Sequence, residues 1–291
     1  MSKKKIGHHW LSEAYLRNFC NSKNQVCVLT PQNRIYETSP HNICKENHYN
    51  TVNGSLIIED SLSVIEGEVF KIINGKIKER EILNNEEKLL LAYYVSIIFC
   101  RVRGRREWFR KSYEDIINWM GSFKQSKKFQ EASLPASGNG RTYKLDDMKK
   151  TLKNFNQRFA VSSMNLSEYS LGYIVNMKWV FFTAPKDSFI SSDDPVRLCR
   201  PEAEKKYGPL ATGSLAGLKH EDVELTFPIT PDTLLGASWK IKYDLIYTPI
   251  RSEKIFGINR RTIRHAKDLF ATNKQILEHI LQEDKKIILN K

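Results

Sequence analysis

Five side chains scattered along the chain make up the set that phosphodiester hydrolysis needs: His9, Glu66, Arg101, Asp193 and Asp194. That chemistry calls for carboxylates to hold a divalent ion, a base for the attacking water and a cation for the charge that develops. In this reading Glu66, Asp193 and Asp194 are ligands to Mg or Mn. His9 is the base or a further ligand, and Arg101 is the charge stabiliser. Arg101 falls on an apolar helical stripe, where a buried guanidinium needs a carboxylate partner that Glu66 or Asp193 could supply. A purely structural alternative uses the same residues. Arg101 and an acid would be an internal ion pair, Asp193-Asp194-Pro195 a turn bonded to nearby amides, and His9 and Tyr15 fasteners of the amino-terminal stretch.

That stretch, His8-His9-Trp10-Leu11-Ser12-Glu13-Ala14-Tyr15-Leu16-Arg17-Asn18-Phe19, concentrates histidine, aromatic, acid, arginine and amide in twelve residues. Tyr15, Arg17 and Asn18 are candidate ligand-binding residues within it. Arg105 and Arg106 join them from the basic segment Arg101–Lys111, where Trp108 and Phe109 are interleaved, and Asn259 from a late basic segment with Arg260, Arg261 and Arg264. Arginines alternating with aromatics suit a phosphate backbone and stacked bases, while a solvated helix face has the same composition. Lys124, Lys127, Lys128 and Arg141 would extend the basic segment. A second constellation, Cys20, Cys27, His41, Cys44 and His48, has zinc-ligand types, but its first pair is spaced more widely than a zinc knuckle uses. No His-Glu-x-x-His, Gly-x-Ser-x-Gly, phosphate-loop or dinucleotide glycine pattern is present.

The elements that must position these groups follow from composition and period. With 291 residues, 41% of them hydrophobic and 27% charged, the chain suits one large globular unit. A net charge of +13 favours polyanions as partners. The five widely spaced cysteines fit reduced thiols and a cytoplasmic setting. Residues 1–5 are basic with no apolar run after them, unlike a secretory signal, and the longest apolar run, Leu89 to Cys100, is too short to span a bilayer. No membrane partner is expected, and nothing in the sequence specifies a partner protein or a homo-oligomer.

Residues 25–30 and 34–38 flank Pro31-Gln32-Asn33 as a hairpin. From Ile58 the period changes to three and four, predicting a helix that stops near Gly75 and carries Glu59 and Glu66 on one face. Asn84 or Asn85 caps a second helix reaching past Gly104 to about Trp119. Residues 121–143 read as loop, and a helix resumes near Leu145. The last third turns β-rich: Lys178–Ala184 paired with Phe189–Ser192, then 196–198, 224–230, 233–237 and a short strand 269–271, with helices over 250–267 and 273–282 and a loop over 201–221. The class is α+β: a small N-terminal β element (1–57), a helical middle (58–175) and a mostly antiparallel sheet flanked by helices (176–291), in a single unit.

Several segments resemble DUF4238, a bacterial and archaeal family of unknown function. They are His9-Trp10 with Tyr15-Leu16-Arg17-Asn18-Phe19, the β region 25–38, Ser39-Pro40 to Tyr49, and the acidic helix Glu59-Asp60-x-Leu62-Ser63-x-Ile65-Glu66. The helical stretch up to Arg101 that carries this arginine, Trp179, Phe189-Ile190-Ser191-Ser192-Asp193-Asp194-Pro195-Val196, Phe227-Pro228-Ile229-Thr230-Pro231 and Ile258-Asn259 to Phe270 follow. Ser12 and Glu13 stand where the family usually has proline and glutamine. The resemblance implies one structural unit across nearly the whole chain and no particular reaction. The expectation is therefore a prokaryotic metal-dependent nuclease or toxin-like or defence-type effector acting on nucleic acid. The alternative is a non-enzymatic module that binds a small anion or a partner protein.

Overall fold

A computed structural model describes residues 7–123, 134–135, 142–143, 145–207 and 217–288. The chain opens with β1 (Gly7–His9) and a short helix α1 (Glu13–Arg17), then the hairpin β2 (Val26–Leu29) and β3 (Ile35–Thr38). A 3-10 turn (Pro40–Asn42) leads into β4 (Lys45–Asn47), which pairs antiparallel with β1 so that His9 lies opposite Lys45. Two long helices follow, α2 (Ile57–Ile72) and α3 (Asn85–Arg101).

Gly75 does not stop α2. A π-helical turn, Ile73–Ile77, carries the chain through it, because Ile73 and Ile77 are both fully buried and hold the turn against the core. The chain reverses only near Arg80, in the left-handed region at φ 60°. The second helix begins where expected. Asn84 accepts from the Glu87 amide at 2.9 Å while the Glu87 carboxylate accepts from the Asn84 amide at 2.8 Å. This reciprocal box satisfies two amides that would otherwise have no partner. Ten of the 17 residues of α3 are buried, so it is enclosed on most sides and shows no clean polar face.

The helix does not run on past Gly104. Val102, fully buried, turns to extended backbone (ψ 152°), and a separate helix α4 (Arg103–Phe123) starts in a new direction. The break leaves the Arg101 carbonyl free of the helical ladder, where it accepts from the Tyr49 hydroxyl. Beyond α4 come the short strands β5 (Leu134–Pro135) and β6 (Thr142–Tyr143), then α5 (Leu145–Lys153) and α6 (Phe155–Asn176). Most of the loop expected over 121–143, with Lys124, Lys127, Lys128 and Arg141, lies outside the described residues, as do residues 1–5.

The last third contains β7 (Lys178–Thr183), β8 (Ser191–Ser192), β9 (Arg197–Cys199), α7 (Pro201–Tyr207), β10 (Glu224–Thr230), β11 (Thr233–Ser238), β12 (Ile246–Pro249), α8 (Ser252–His265), β13 (Leu269–Ala271) and α9 (Lys274–Ile288). Five of these strands form one sheet in the order β12-β7-β11-β10-β9, antiparallel apart from the β12–β7 pair. Gly236 on β11 leaves room for the Phe182 ring; a Cβ there would stand 2.6 Å from it. The segment 201–221 is not all loop, since α7 opens it.

β8 is not the hairpin partner of β7. The Phe189 amide bonds to the Pro231 carbonyl and the Ile190 amide to Asn259 Oδ1, which turns the segment away from β7. β8 instead joins β13 in a second sheet of order β3-β2-β13-β8. The amino-terminal hairpin is thus one half of a sheet completed by carboxy-terminal strands. The class is α+β, as the sequence predicts. The largest buried cluster draws on Trp10, Leu11, Tyr15 and Phe19 from the start, Leu91, Val95 and Ile98 from α3, and Trp179, Phe181 and Phe227 from the sheet. At roughly 1.5–3 kcal/mol per fully buried large apolar side chain, this shared core outweighs any single polar contact that joins the regions.

Candidate functional site

A cleft of about 450 Å³ opens between the start of the chain, the 3-10 turn, α2 and the end of α3. His9 sits on β1, fixed by the β1–β4 ladder and by the bond from the Trp10 amide to the Cys44 carbonyl at 2.9 Å. Ser12, Glu13 and Arg17 come from the N-cap and body of α1, and His41 from the 3-10 turn capped by Ser39. α2 supplies Glu59, Leu62, Ser63 and Glu66, which lie three, four and seven residues on from Glu59 and so share one face. Arg101, the last residue of α3, and Lys45 on β4 also line it.

Arg101 is 4% exposed. Its Nε donates to the Trp10 carbonyl at 3.3 Å and its Nη2 to the His9 carbonyl, so it clamps the end of β1 to α3. Its Nη1 is buried and has no hydrogen-bond partner among the described residues, and the same holds for His9 Nε2. A buried polar atom left without a partner is costly, which makes these two atoms the most informative in the cleft. Beside them, Glu13 Oε2 is 3.1 Å from His41 Nδ1, and Glu13 Oε1 accepts from Arg17 at 2.6 Å. The His9 and His41 rings meet edge-on with centroids 5.9 Å apart.

The electrostatics follow from this packing. Burial drives the His9 imidazole below its ordinary pKa, with the Glu13 charge pulling the other way. Burial alone would raise the Glu13 carboxyl, but hydrogen bonds from His41 and Arg17 outweigh it and hold the group below its ordinary value. Deeper in, Asn50 donates to Glu59 Oε2 at 2.7 Å and its amide donates to Nδ1 of the fully buried His8, which ties α2 to β1. The cleft balances three carboxylates, Glu13, Glu59 and Glu66, against Arg17, Lys45 and Arg101.

Residues 7–277 match the family described as "Protein of unknown function (DUF4238)", a span that includes every cleft residue named above. The chain belongs to the DUF4238 family. No curated protein and no solved structure matches it.

Of the residues singled out from the DUF4238 sequence, His9, Arg17, Glu66 and Arg101 line the cleft together. Asp193 and Asp194 do not line it, which corrects the expectation that they share metal ligation with Glu66. Asp193, 4% exposed, accepts through Oδ1 from the amides of Lys267 at 3.0 Å and Asp268 at 3.3 Å. Its burial, with the Asp194 and Asp268 charges adding, pushes its carboxyl up to about 6 against the pull of those amides. Asp194 accepts from Arg197 at 3.0 Å, and its amide and carbonyl both bond to the Ser192 hydroxyl. The pair forms the turn between β8 and β9, hydrogen-bonded to the backbone that leads into β13.

Tyr15 and Asn18 also serve the interior. The Tyr15 hydroxyl lies 2.6 Å from Ser191 Oγ and donates to the Pro228 carbonyl at 2.7 Å, and Asn18 donates to the Ile229 carbonyl at 3.3 Å. Asn259 bonds both ways to the backbone of residues 188 and 190. Arg106 grips both carboxylate oxygens of Glu46, at 3.0 and 2.6 Å, and Arg105 lies 4.3 Å over the Phe99 ring. The zinc constellation does not assemble. Among the described residues no group of three potential ligands includes a cysteine; Cys27, Cys44 and Cys199 are buried thiols that burial pushes up.

Sequence reasoning missed Glu13, Lys45 and the role of His41 in this cleft. The four-residue step from Glu13 to Arg17 hints at a helical ion pair. Nothing in the sequence brings His41 back beside His9, since that depends on β4 pairing with β1.

Proposed function

We propose that the cleft hydrolyses a phosphodiester bond, with nucleic acid as the substrate class and a divalent ion as helper. The observation that carries this reading is the buried Nη1 of Arg101, which has no partner among the described residues, in the same cleft as Glu66 and His9 Nε2, which likewise has none among them. The guanidinium would meet the non-bridging oxygens as their charge grows. Glu66 would accept the proton of the attacking water. His9 would hold the ion that polarises the phosphate. With equal numbers of carboxylates and fixed cations lining it, the cleft has little net pull on a phosphate, and a divalent ion would tip that balance. The net charge of +13 supports a polyanionic substrate.

A second reading, a binding module for a small anion, draws on a different observation. Arg103 and Arg110 on α4 pair with Glu107 and Glu114 of the same helix, and Arg106 with Glu46, so the basic stripe has few charges left for a long backbone. The test is purified protein incubated with labelled single-stranded DNA, duplex DNA and RNA, each with EDTA, Mg²⁺ or Mn²⁺. Ion-dependent cleavage that falls in Arg101→Lys and Glu66→Gln is the expected result. No cleavage of any substrate with any ion, alongside a nucleotide-dependent rise in melting temperature, replaces hydrolysis with binding.

A further inference from the structure

We propose that His9, Glu13 and His41 form a binding site for one divalent transition-metal ion at the edge of the cleft. One potential ligand atom from each of the three lies within 4.8 Å of the others, and among the described residues no other group of three or more meets that condition. His9 on β1 and Glu13 on α1 are four residues apart, and the β1–β4 ladder brings the 3-10 turn with His41 back beside them. Ligand atoms around a tetrahedral ion stand about 3.3 Å apart, given metal–ligand bonds of about 2.0–2.1 Å. The present spread therefore needs to close by no more than roughly 1.5 Å, and His41, whose side chain is 65% exposed, is free to turn.

Each ligand already has features of its role. His9 Nε2 is buried with no hydrogen-bond partner among the described residues, as an empty ligand position would be. Glu13 Oε1 is held by Arg17, which leaves Oε2 toward His41, and a charged partner on the outer oxygen is how metal-bound carboxylates are oriented. The contact between Glu13 Oε2 and His41 Nδ1 would give way to the ion, with His41 binding as the neutral imidazole that carries its one proton on Nε2 and any second proton passing to solvent. Lys45 and Arg101 oppose a cation here, and Glu59 and Glu66 in the same cleft offset them. Two imidazoles and one carboxylate select zinc, iron, cobalt or manganese over magnesium and calcium, which prefer oxygen ligands. Three protein ligands leave a position open for water or a substrate oxygen. The ion's part in hydrolysis rests on the reading above; its binding does not.

The full-length protein, stripped with EDTA and dialysed against Zn²⁺, Co²⁺, Mn²⁺ or Mg²⁺, would be assayed for retained metal by mass spectrometry and for the visible absorption of bound cobalt. The expected result is one zinc or cobalt per chain, little magnesium, and affinity about tenfold or more weaker in His41→Ala and Glu13→Gln. Exposed His48→Ala serves as a control that keeps the metal. Both test variants alter residues with exposed or half-exposed side chains, and their melting temperatures would show that the fold persists. No stoichiometric metal, or equal retention by wild type and both variants, overturns the site. Stoichiometric metal without nucleic-acid cleavage keeps the site and removes the hydrolase. Cleavage undiminished in variants that have lost the metal keeps both the hydrolase and the site and removes only the ion's part in hydrolysis.

Discussion

Glu66, on α2, and Asp193, in the turn after β8, are both carboxylates, and both stand in acidic stretches that draw the eye in the sequence. Their surroundings differ in kind. Glu66 lines a cleft where Arg101 and His9 each keep a buried polar atom without a partner among the described residues. Asp193 is enclosed and accepts two backbone amides from the segment that leads into β13. The first arrangement leaves polar capacity for something outside the chain, and the second uses it to join two parts of the chain. Residue type therefore separates the two regions less well than the fate of their hydrogen-bonding groups.

The sharpest test of that contrast is Arg101→Lys. A lysine keeps the charge but loses the forked donors, so cleavage, if the cleft performs it, should fall by roughly 10²–10³-fold, the usual cost of removing one charge-stabilising donor. Single-turnover cleavage rates would measure it. An unchanged rate would mean that the cleft is no more functional than the turn.

Asp193 should respond in stability. Asp193→Ala leaves the Lys267 and Asp268 amides without their acceptor and should cost about 2–4 kcal/mol in urea unfolding at pH 7. Asp193→Asn keeps an acceptor and removes the buried charge. The folded carboxyl lies near 6, above its unfolded value of 3.8, so the native state holds the proton more tightly. Its favourable contribution is complete below pH 3.8 and is lost as pH rises through 6. The wild type should therefore lose up to about 3 kcal/mol relative to Asp193→Asn between pH 4 and pH 8. Parallel stability profiles for the two proteins would remove the burial argument.

The smallest effect belongs to the rim of the cleft. Arg17, with a side chain 63% exposed, pairs with Glu13 four residues away, and Arg17→Ala should change stability by less than about 0.5 kcal/mol. A larger loss in thermal melts would mean that the rim, like the turn, is structural.

Much of the local structure was legible because local physics decides it. The β2–β3 hairpin follows from its alternation and its proline turn, α2 from its period, and the start of α3 from the reciprocal bonds of Asn84 and Glu87. The pairing of β8 was not legible. Phe189–Ser192 has the composition to pair with any neighbouring strand, and Asn259 and Pro231 divert it from β7. The break at Val102 was equally hidden, since a buried valine suits helix and strand alike.

By itself the sequence determined most of the helical and extended segments, that Glu59 and Glu66 share a helix face, that the balance of charge is strongly basic, and that the opening residues resemble one family. Those properties depend on residues a few positions apart or on simple sums. Only the tertiary structure decided which acids face a cleft. It brought His41 beside His9 through a two-strand ladder, and it turned Asp193 inward onto the backbone near β13. Such juxtapositions are set by long-range strand pairing and by the burial of the shared core, and no local pattern in the chain encodes either.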